Sequence, residues 1–307
     1  MVICIRVESW SLLVQKKKAE EARRTLLRRG LMDPGLKIRA EGEDLLLPII
    51  QPMDGAEREL FETLEIPESP PRHEQVGGIA ILREQDRTLA EKILGSRPSL
   101  HTVLYPLSAV EGKYRTRRFE VLAGIPTTQT EYHEYGHRYV IDLGVAYFSA
   151  RLSGERQRIL RLMEPGERVL DMFAGVGPFP VTLSEKAALV VACDINPAAV
   201  SLMIQNLLLN RSSRVLPVLA DVSNLSSIFP RIFSRVIMNL PLKSSEFLDI
   251  AFSLCRRGGY IHFYALQEQK GEFLPAIQEH PVAHIDERVV RSSSPGRWHA
   301  VYDITVA

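Results

Sequence analysis

Asp171-Met-Phe-Ala-Gly-Val-Gly-Pro-Phe179 sets an acidic residue ahead of a tight glycine turn. Gly175 and Gly177 would let the backbone approach a ligand closely. Two features set this turn apart from a pyrophosphate-binding one. Asp171 precedes it, and the GxGxxG spacing fails because Pro180 stands at the third-glycine position. A carboxylate before the turn suits a ligand that carries an ammonium group. Asp194 follows the turn by about twenty residues, where an acidic side chain can accept from both hydroxyls of a ribose. Ile195-Asn196-Pro197 comes next and starts a helix. At Asp221-Val222 a carboxylate can accept from an adenine amino group while the apolar neighbour packs on the ring. Asn239-Leu240-Pro241 can accept from an exocyclic amine or amide, with the proline fixing the loop. Any one of these aspartates would serve equally as a helix N-cap. Three acidic residues in order, each closing a strand, mark a nucleoside site.

Those residues need elements that bring strand ends to one edge. Strands are expected at Arg168–Met172, Leu189–Asp194, Val215–Ala220, Arg235–Asn239, Tyr260–Ala265 and Val301–Val306, and helices at Phe179–Lys186, Ala198–Asn210 and Ser245–Cys255. Such alternation implies a mostly parallel, doubly wound α/β sheet with ligands at the C-terminal strand ends. Upstream the pattern differs. A strand at Val2–Val7, a helix at Lys16–Arg29 and one or two strands within Leu36–Pro52 make one small α+β unit. The proline-rich run Pro67–Glu74 reads as a linker. Ile79–Leu82, Thr102–Leu107, Glu120–Ala123 and Arg138–Asp142 (strands) with Arg87–Gly95 (helix) make a second unit. The expected domains are therefore 1–66, 75–145 and 146–307.

Bulk properties exclude several classes. The 307 residues are 45% hydrophobic and 24% charged, ordinary for a globular chain. No apolar run approaches the ~18 residues that span a bilayer, and no signal-peptide layout opens the chain, so a cytoplasmic protein with no membrane partner is expected. Cys4, Cys193 and Cys255 are scattered, with neither metal-ligand nor disulfide spacing. Net charge is only +1, but residues 11–30 carry seven Lys/Arg against two Glu. That stretch suits either a solvated helix face or a phosphate-binding patch.

Asp171–Phe179, Asp194–Pro197, Ile237–Pro241 and Gly258–His262 together resemble the archaeal and eukaryotic family of tRNA (guanine-37 N1) methyltransferases. Tyr147–Arg156, Tyr114–Arg117 and Ser294–Trp298 extend the resemblance. It covers about residues 76–305 and is only architectural over the first 66. The related wybutosine-pathway aminocarboxypropyl transferases share the Asp-Met-Phe-Ala-Gly turn but usually lack Asn-Leu-Pro. Ala150 departs from the family, which often has proline there, and Leu242 replaces the aromatic common after this motif in amino-group methyltransferases.

The resemblance implies a class I, Rossmann-like methyltransferase domain preceded by two small α+β domains. It implies S-adenosylmethionine as cofactor, held by Tyr147, Asp171, Phe173, Ala174, Gly175, Gly177, Asp194, Ile195, Asp221, Val222 and Asn239. It implies tRNA as partner, contacted at the anticodon loop and outer corner by a monomer. N1 of guanine carries a proton at neutral pH and must lose it to attack a methyl sulfonium, which calls for a base. Charge then builds toward O6, which calls for a cation. Glu155 resembles the family's base and Arg115 its O6-facing arginine, with Asn239 and Pro241 beside the reaction. Arg117 and Arg151 become substrate contacts. Taken alone, Glu155 would pair with Arg156 or Arg158 on a helix, and Arg115 would serve a phosphate. Three other readings stay open: an aminocarboxypropyl transferase, a dual-specificity enzyme that also methylates a tricyclic guanine derivative, and an inactive tRNA-binding protein.

Overall fold

The structure is a computed structural model that describes residues 6–63 and 73–307. The start of the expected Val2–Val7 strand, Cys4 and most of the Pro67–Glu74 linker lie outside the described residues. The chain divides into two compact units, Met1–Pro71 and Arg72–Ala307.

In the first unit, β1 (Arg6–Gln15) leads through a single 3₁₀ turn into α1 (Ala19–Arg28), followed by β2 (Arg39–Glu41), β3 (Asp44–Ile49) and β4 (Ala56–Glu62). These form one sheet in the order β2-β3-β1-β4. β1 is longer than the sequence suggests because it is paired on both sides, with β3 and with β4. Its small core joins Leu26 of α1 to Leu47 and Ile49 of β3. The seven basic residues of 16–29 are all exposed; Arg23, Arg24 and Arg28 lie on α1, where Arg23 and Arg24 bond Glu20.

The second unit begins with β5 (Glu74–Val76), β6 (Ile79–Ile81), α2 (Arg87–Ser96), β7 (Thr102–Pro106) and β8 (Phe119–Gly124), a sheet in the order β5-β6-β7-β8. β9 (Gln129–Glu134) and β10 (His137–Asp142) form a hairpin. Then come α3 (Ser153–Leu162), β11 (Arg168–Asp171), α4 (Pro178–Leu183), β12 (Leu189–Asp194), α5 (Pro197–Leu209), β13 (Val215–Leu219) and α6 (Leu225–Ile228). They are followed by β14 (Phe233–Met238), α7 (Leu248–Leu254), β15 (Cys255–Gln267), α8 (Leu274–Gln278), β16 (Val282–Ser294) and β17 (Arg297–Val306). The seven-stranded sheet runs β13-β12-β11-β14-β15-β17-β16. It is parallel through β15, and β17 and β16 close one edge antiparallel. Its order reverses between β11 and β14, so the crevice for a ligand opens beyond the carboxyl ends of the central strands.

The two parts of this unit share one apolar cluster, which includes Val76, Leu104 and Ile141 from one side and Val176, Ala199 and Met203 from the other. Asn206 on α5 and Asn210 at its C-terminal cap stitch them together. Asn206 accepts from the Val140 N–H at 2.7 Å and donates to the carbonyls of Val140 and Val176 at 3.1 and 2.9 Å. Asn210 brackets the backbone of Arg138 in the same way. A buried pair, Arg156 with Glu134, ties the hairpin to α3. Gly77 is required where the β5–β6 turn meets the hairpin: at φ +54, a Cβ there would lie 2.1 Å from the Glu131 carbonyl. Among the described residues no helix is long and apolar enough to cross a membrane.

Asn206→Ala would remove the side-chain partner of three backbone groups, the buried Val176 carbonyl and the partly buried N–H and carbonyl of Val140, and a buried group left unsatisfied costs about 1–3 kcal/mol. The variant is expected to unfold at least about 2 kcal/mol more easily in urea, with an unchanged slope. A midpoint equal to wild type would show that water replaces the amide at no cost.

Candidate active site

A cavity of about 570 Å³ opens at the carboxyl ends of β11, β12 and β14. Its floor is the turn between β11 and α4. Gly175 (φ +55) and Gly177 (φ +87) both take the left-handed conformation, and a Cβ on Gly177 would press within 2.8 Å of Met203 Cγ on α5. The turn is held from below: the Gly175 N–H donates to Asp194 Oδ2 at 2.7 Å, and the Ala174 N–H to the Cys193 carbonyl at 2.8 Å. Asp194 Oδ1 accepts from the Asn196 N–H at 2.9 Å. Burial raises the Asp194 pKa despite these bonds. Helix α5 is capped by Asn196 and not by Asp194, which leaves that carboxylate on the cavity wall.

Asp171 does not line the cavity. It is buried directly beneath it, its Oδ1 accepting from the Phe173 N–H at 3.2 Å and its Oδ2 without any partner among the described residues. Burial first, then the nearby Asp194 charge, pushes its pKa up to about 7. Asp221 lines the cavity and also caps the short 3₁₀ turn after β13 by accepting from the Ser223 N–H at 3.0 Å. The capping role is thus present, and the carboxylate also lies on the cavity lining. The Ser223 hydroxyl, at 2.8 Å, keeps its pKa low.

The other walls are Phe173, Ala174, Ile195, Val222, Asn239 and Tyr147, all anticipated from the sequence. Arg115 completes them from the loop between β7 and β8. It holds a left-handed backbone at φ +54, unusual for a residue with a side chain. Its guanidinium lies 5.2 Å from the centre of the Tyr147 ring. No carboxylate pairs with it among the described residues. Burial lowers its pKa from the usual arginine value, but not enough to discharge it.

Some expected residues stand apart. Glu155, in the first turn of α3, does not line the cavity, although Leu152 and Arg156 on either side of it do. Its Oε2 accepts from Arg158 at 2.9 Å and from the Tyr264 hydroxyl at 3.0 Å, while its Oε1 accepts from no described residue. Pro241 lies outside the lining, and its carbonyl accepts from the Leu266 N–H. Gly177 supports the turn from beneath. Arg117 and Arg151 line a second, smaller cavity next to the first.

Sequence reasoning missed Phe247, Lys113, Lys243 and Glu246, which also line the large cavity. Phe247 meets Phe173 edge to face at 5.3 Å between ring centres. It supplies an aromatic wall for which position 242, occupied by leucine, was the expected place. An aromatic a few residues past the Asn-Leu-Pro loop was the available signal. Lys113 shares its loop with Arg115 and had no signal of its own.

The residues present fit a nucleoside cofactor with a cationic end. An orphaned buried carboxylate oxygen lies under the glycine turn, an acidic strand end stands beside it, and Phe173, Ile195, Val222 and Phe247 form apolar walls. Fold and site define the class of Rossmann-like, S-adenosylmethionine-dependent methyltransferases. The TRM5/TYW2 methyltransferase domain matches residues 130–289, and the tRNA methyltransferase 5 N-terminal domain matches residues 12–57. The chain belongs to the TRM5/TYW2 family. It is 34% identical to the tRNA (guanine(37)-N(1))-methyltransferase Trm5b of Pyrococcus abyssi, over 96% of this chain and 98% of that one. It is 31% identical to the Trm5b of Methanocaldococcus jannaschii, with the same coverage. The crystal structure of the Pyrococcus abyssi protein superposes with a TM-score of 0.81 at 33% identity, covering 97% of this chain and 99% of that one. A complex of aTrm5 with tRNALeu superposes with a TM-score of 0.73 at 29% identity and the same coverage.

Ligand-free Asp171 keeps its proton up to about pH 7. A cationic ligand favours the ionised carboxylate, so binding below that pH must release the proton. Affinity for S-adenosylmethionine is therefore expected to rise from about pH 5.5 to about pH 7.5 and then level off. Asp171→Asn should flatten the rise. Calorimetry in buffers of different ionisation enthalpy checks this, and an uptake of protons at pH 6 would contradict it.

Proposed function

We propose that the chain transfers the methyl group of S-adenosylmethionine to N1 of guanine 37 in tRNA, beside the anticodon. The observation that carries this reading is one cavity lined together by the glycine turn, Asp194, Asn239 after β14, and Arg115, which no carboxylate pairs among the described residues. The sequence relatives support the same substrate. When bound, the cofactor supplies an electrophilic methyl group on a sulfonium.

In this reading the chain's own residues do the rest. Asn239 and the backbone around it orient the guanine edge. Glu155 accepts the N1 proton through Oε1, the oxygen left without a partner, while Arg158 and Tyr264 hold Oε2. Arg115 faces O6. An uncompensated guanidinium in a partly desolvated wall is worth far more to a developing negative charge than one in water. Its left-handed backbone costs of order 1–3 kcal/mol, a strain consistent with placing that charge at the site. Tyr147, under the guanidinium, stacks with the base. The target guanine is turned out of its loop to reach the cavity, at a cost of a few kcal/mol.

Residues 1–66 act in this reading as a separate module for the outer corner of tRNA, 75–145 as a middle domain, and 146–307 as the catalytic domain. The protein works as a cytoplasmic monomer. Removing residues 1–66 is expected to weaken tRNA binding and leave cofactor affinity unchanged. Equal tRNA binding by the full and shortened chains would give the module another task.

Incubation with unmodified tRNA and labelled cofactor, followed by mass identification of the nucleoside, tests the activity. N1-methylguanosine is expected. An aminocarboxypropyl adduct, or methylation of a tricyclic base alone, would replace the proposal with one of its relatives' reactions. Glu155→Gln keeps size and most hydrogen bonding but accepts no proton. It is expected to slow single-turnover methylation by about 10²–10⁴ without matching loss of tRNA or cofactor affinity. Arg115→Ala should slow the same step, with Arg117→Ala as the comparison. A wild-type rate in Glu155→Gln, where chemistry limits, places the base elsewhere.

A further inference from the structure

A second cavity, of about 130 Å³, lies against the first and shares Arg115, Tyr147, Phe148 and Ser149 with it. Three more arginines line it from separate parts of the chain: Arg117 from the loop before β8, Arg151 from the turn before α3, and Arg291 from β16. Four arginines thus border one small space. The carboxylate on its wall, Glu74, is already bonded to Arg151 at 3.1 Å. Arg117 Nε and Arg291 Nε are both buried and have no hydrogen-bond partner among the described residues. The far end of Arg291 donates to His299 Nε2 at 3.2 Å. Burial, then the charges of Arg291 and Arg115, hold the His299 pKa down at about 4. The imidazole is therefore neutral and brings no countercharge.

Such an arrangement is costly by itself. Buried N–H groups without acceptors lose their hydration, and like charges gathered out of water repel. A tetrahedral oxyanion relieves both at once. It offers acceptors to several N–H forks and offsets part of the positive charge, and guanidinium groups match phosphate in geometry as well as sign. The cavity exceeds the ~30 Å³ share of one water. Its common wall with the large cavity means that its occupant neighbours whatever lies against Tyr147 and Arg115.

We propose that this cavity is a phosphate site, with Arg117 and Arg291 as its binding residues, that grips one backbone phosphodiester of the anticodon loop next to the target guanine. The proposal rests on tRNA being the substrate. It gives the β16 edge, remote in sequence from the glycine turn, a share in substrate binding. Holding the flanking phosphate while the base is turned out would fix the nucleotide at both ends.

The test uses the full chain and unmodified tRNA, alongside tRNAs carrying a single uncharged methylphosphonate linkage 5′ or 3′ of guanine 37. Binding is read by filter retention over a range of salt, and chemistry by single-turnover methylation. Arg291→Ala is expected to weaken tRNA about tenfold, to reduce the salt slope by about one, and to keep cofactor affinity. Arg291→Lys should recover part of the loss. One uncharged linkage should weaken wild type similarly and weaken Arg291→Ala no further. Wild-type binding and salt slope in Arg291→Ala, or losses that multiply at both linkages, overturn the proposal. If Arg291→Ala loses cofactor binding and so its fold, the linkage scan on wild type decides, and no loss at either linkage overturns it. Saturable stabilisation of wild type by inorganic phosphate, with neither linkage mattering, would reassign the cavity to a free anion. Tight tRNA binding without N1-methylguanosine would sink the functional reading alone, since the binding arm still judges the cavity.

Discussion

The Gly175 N–H donates to Asp194 Oδ2 at 2.7 Å, and the geometry of the site depends on that bond. It ties the turn after β11 to the end of β12, so the two strands that meet at the crevice cannot shift independently. The neighbouring Ala174 bond to Cys193 and the packing of Gly177 on Met203 act on the same few residues. The bond from Asn206 to the Val176 carbonyl extends the constraint to the hairpin. An ionised carboxylate offers about four acceptor positions. Two are used by backbone N–H groups, which leaves capacity for ribose hydroxyls on the same group. One side chain thus both shapes the cavity floor and presents acceptors on its wall.

Asp171 adds the electrostatic half of that constraint. A buried carboxyl with one unpaired oxygen is unfavourable unless it is protonated or meets a cation. The fold keeps it buried because it ends a strand covered on both faces and sits beneath the turn. The cost of that position becomes selectivity once a cation arrives, since ionisation then gains what burial lost. The same logic operates with the opposite sign at the second cavity, where the buried Nε groups of Arg117 and Arg291 have no acceptor among the described residues and, in the proposed reading, take an anion. The two sites share a wall that includes Arg115, whose backbone is left-handed.

The central strands were legible because both their faces are covered. Runs such as Leu189–Cys193 and Val236–Met238 are apolar throughout, and polar residues, Asp194 and Asn239, follow them. The strands that escaped were β4, β5, β9 and β16. β4 and β16 are edge strands, with acidic or alternating polar residues that serve solvent as readily as a sheet. β9 lies in a two-stranded hairpin whose inner face is set by contacts with distant residues, such as Glu134 with Arg156. The same distinction divides the site. Asp194 and Asp221 were readable because the strand that ends there places them. Arg115, reached only through the family resemblance, comes from a loop, and Phe247, missed, ends a short 3₁₀ turn; both positions depend on the whole fold.

Glu155 illustrates the limit most sharply. Its helix presents Arg158 one turn away, and Arg158 bonds Asp303, which bonds His262, which accepts from Arg235, which bonds Glu167. This chain of buried groups crosses from α3 through β17 and β15 to β14. Each charge in it is paired, so no single member is left uncompensated in a low-dielectric interior. Local spacing shows only a glutamate with an arginine three residues on, the pattern of an ordinary surface pair. What distinguishes this one is the far end, 145 positions away in sequence, where Asp303 competes for the same guanidinium. With Arg158 shared between two carboxylates and Tyr264 bonded to the same oxygen, Glu155 is anchored through Oε2 alone. The proposed role as base draws on that asymmetry, an acceptor bonded at one oxygen and unbonded at the other among the described residues. That asymmetry arises only when helix and sheet have come together.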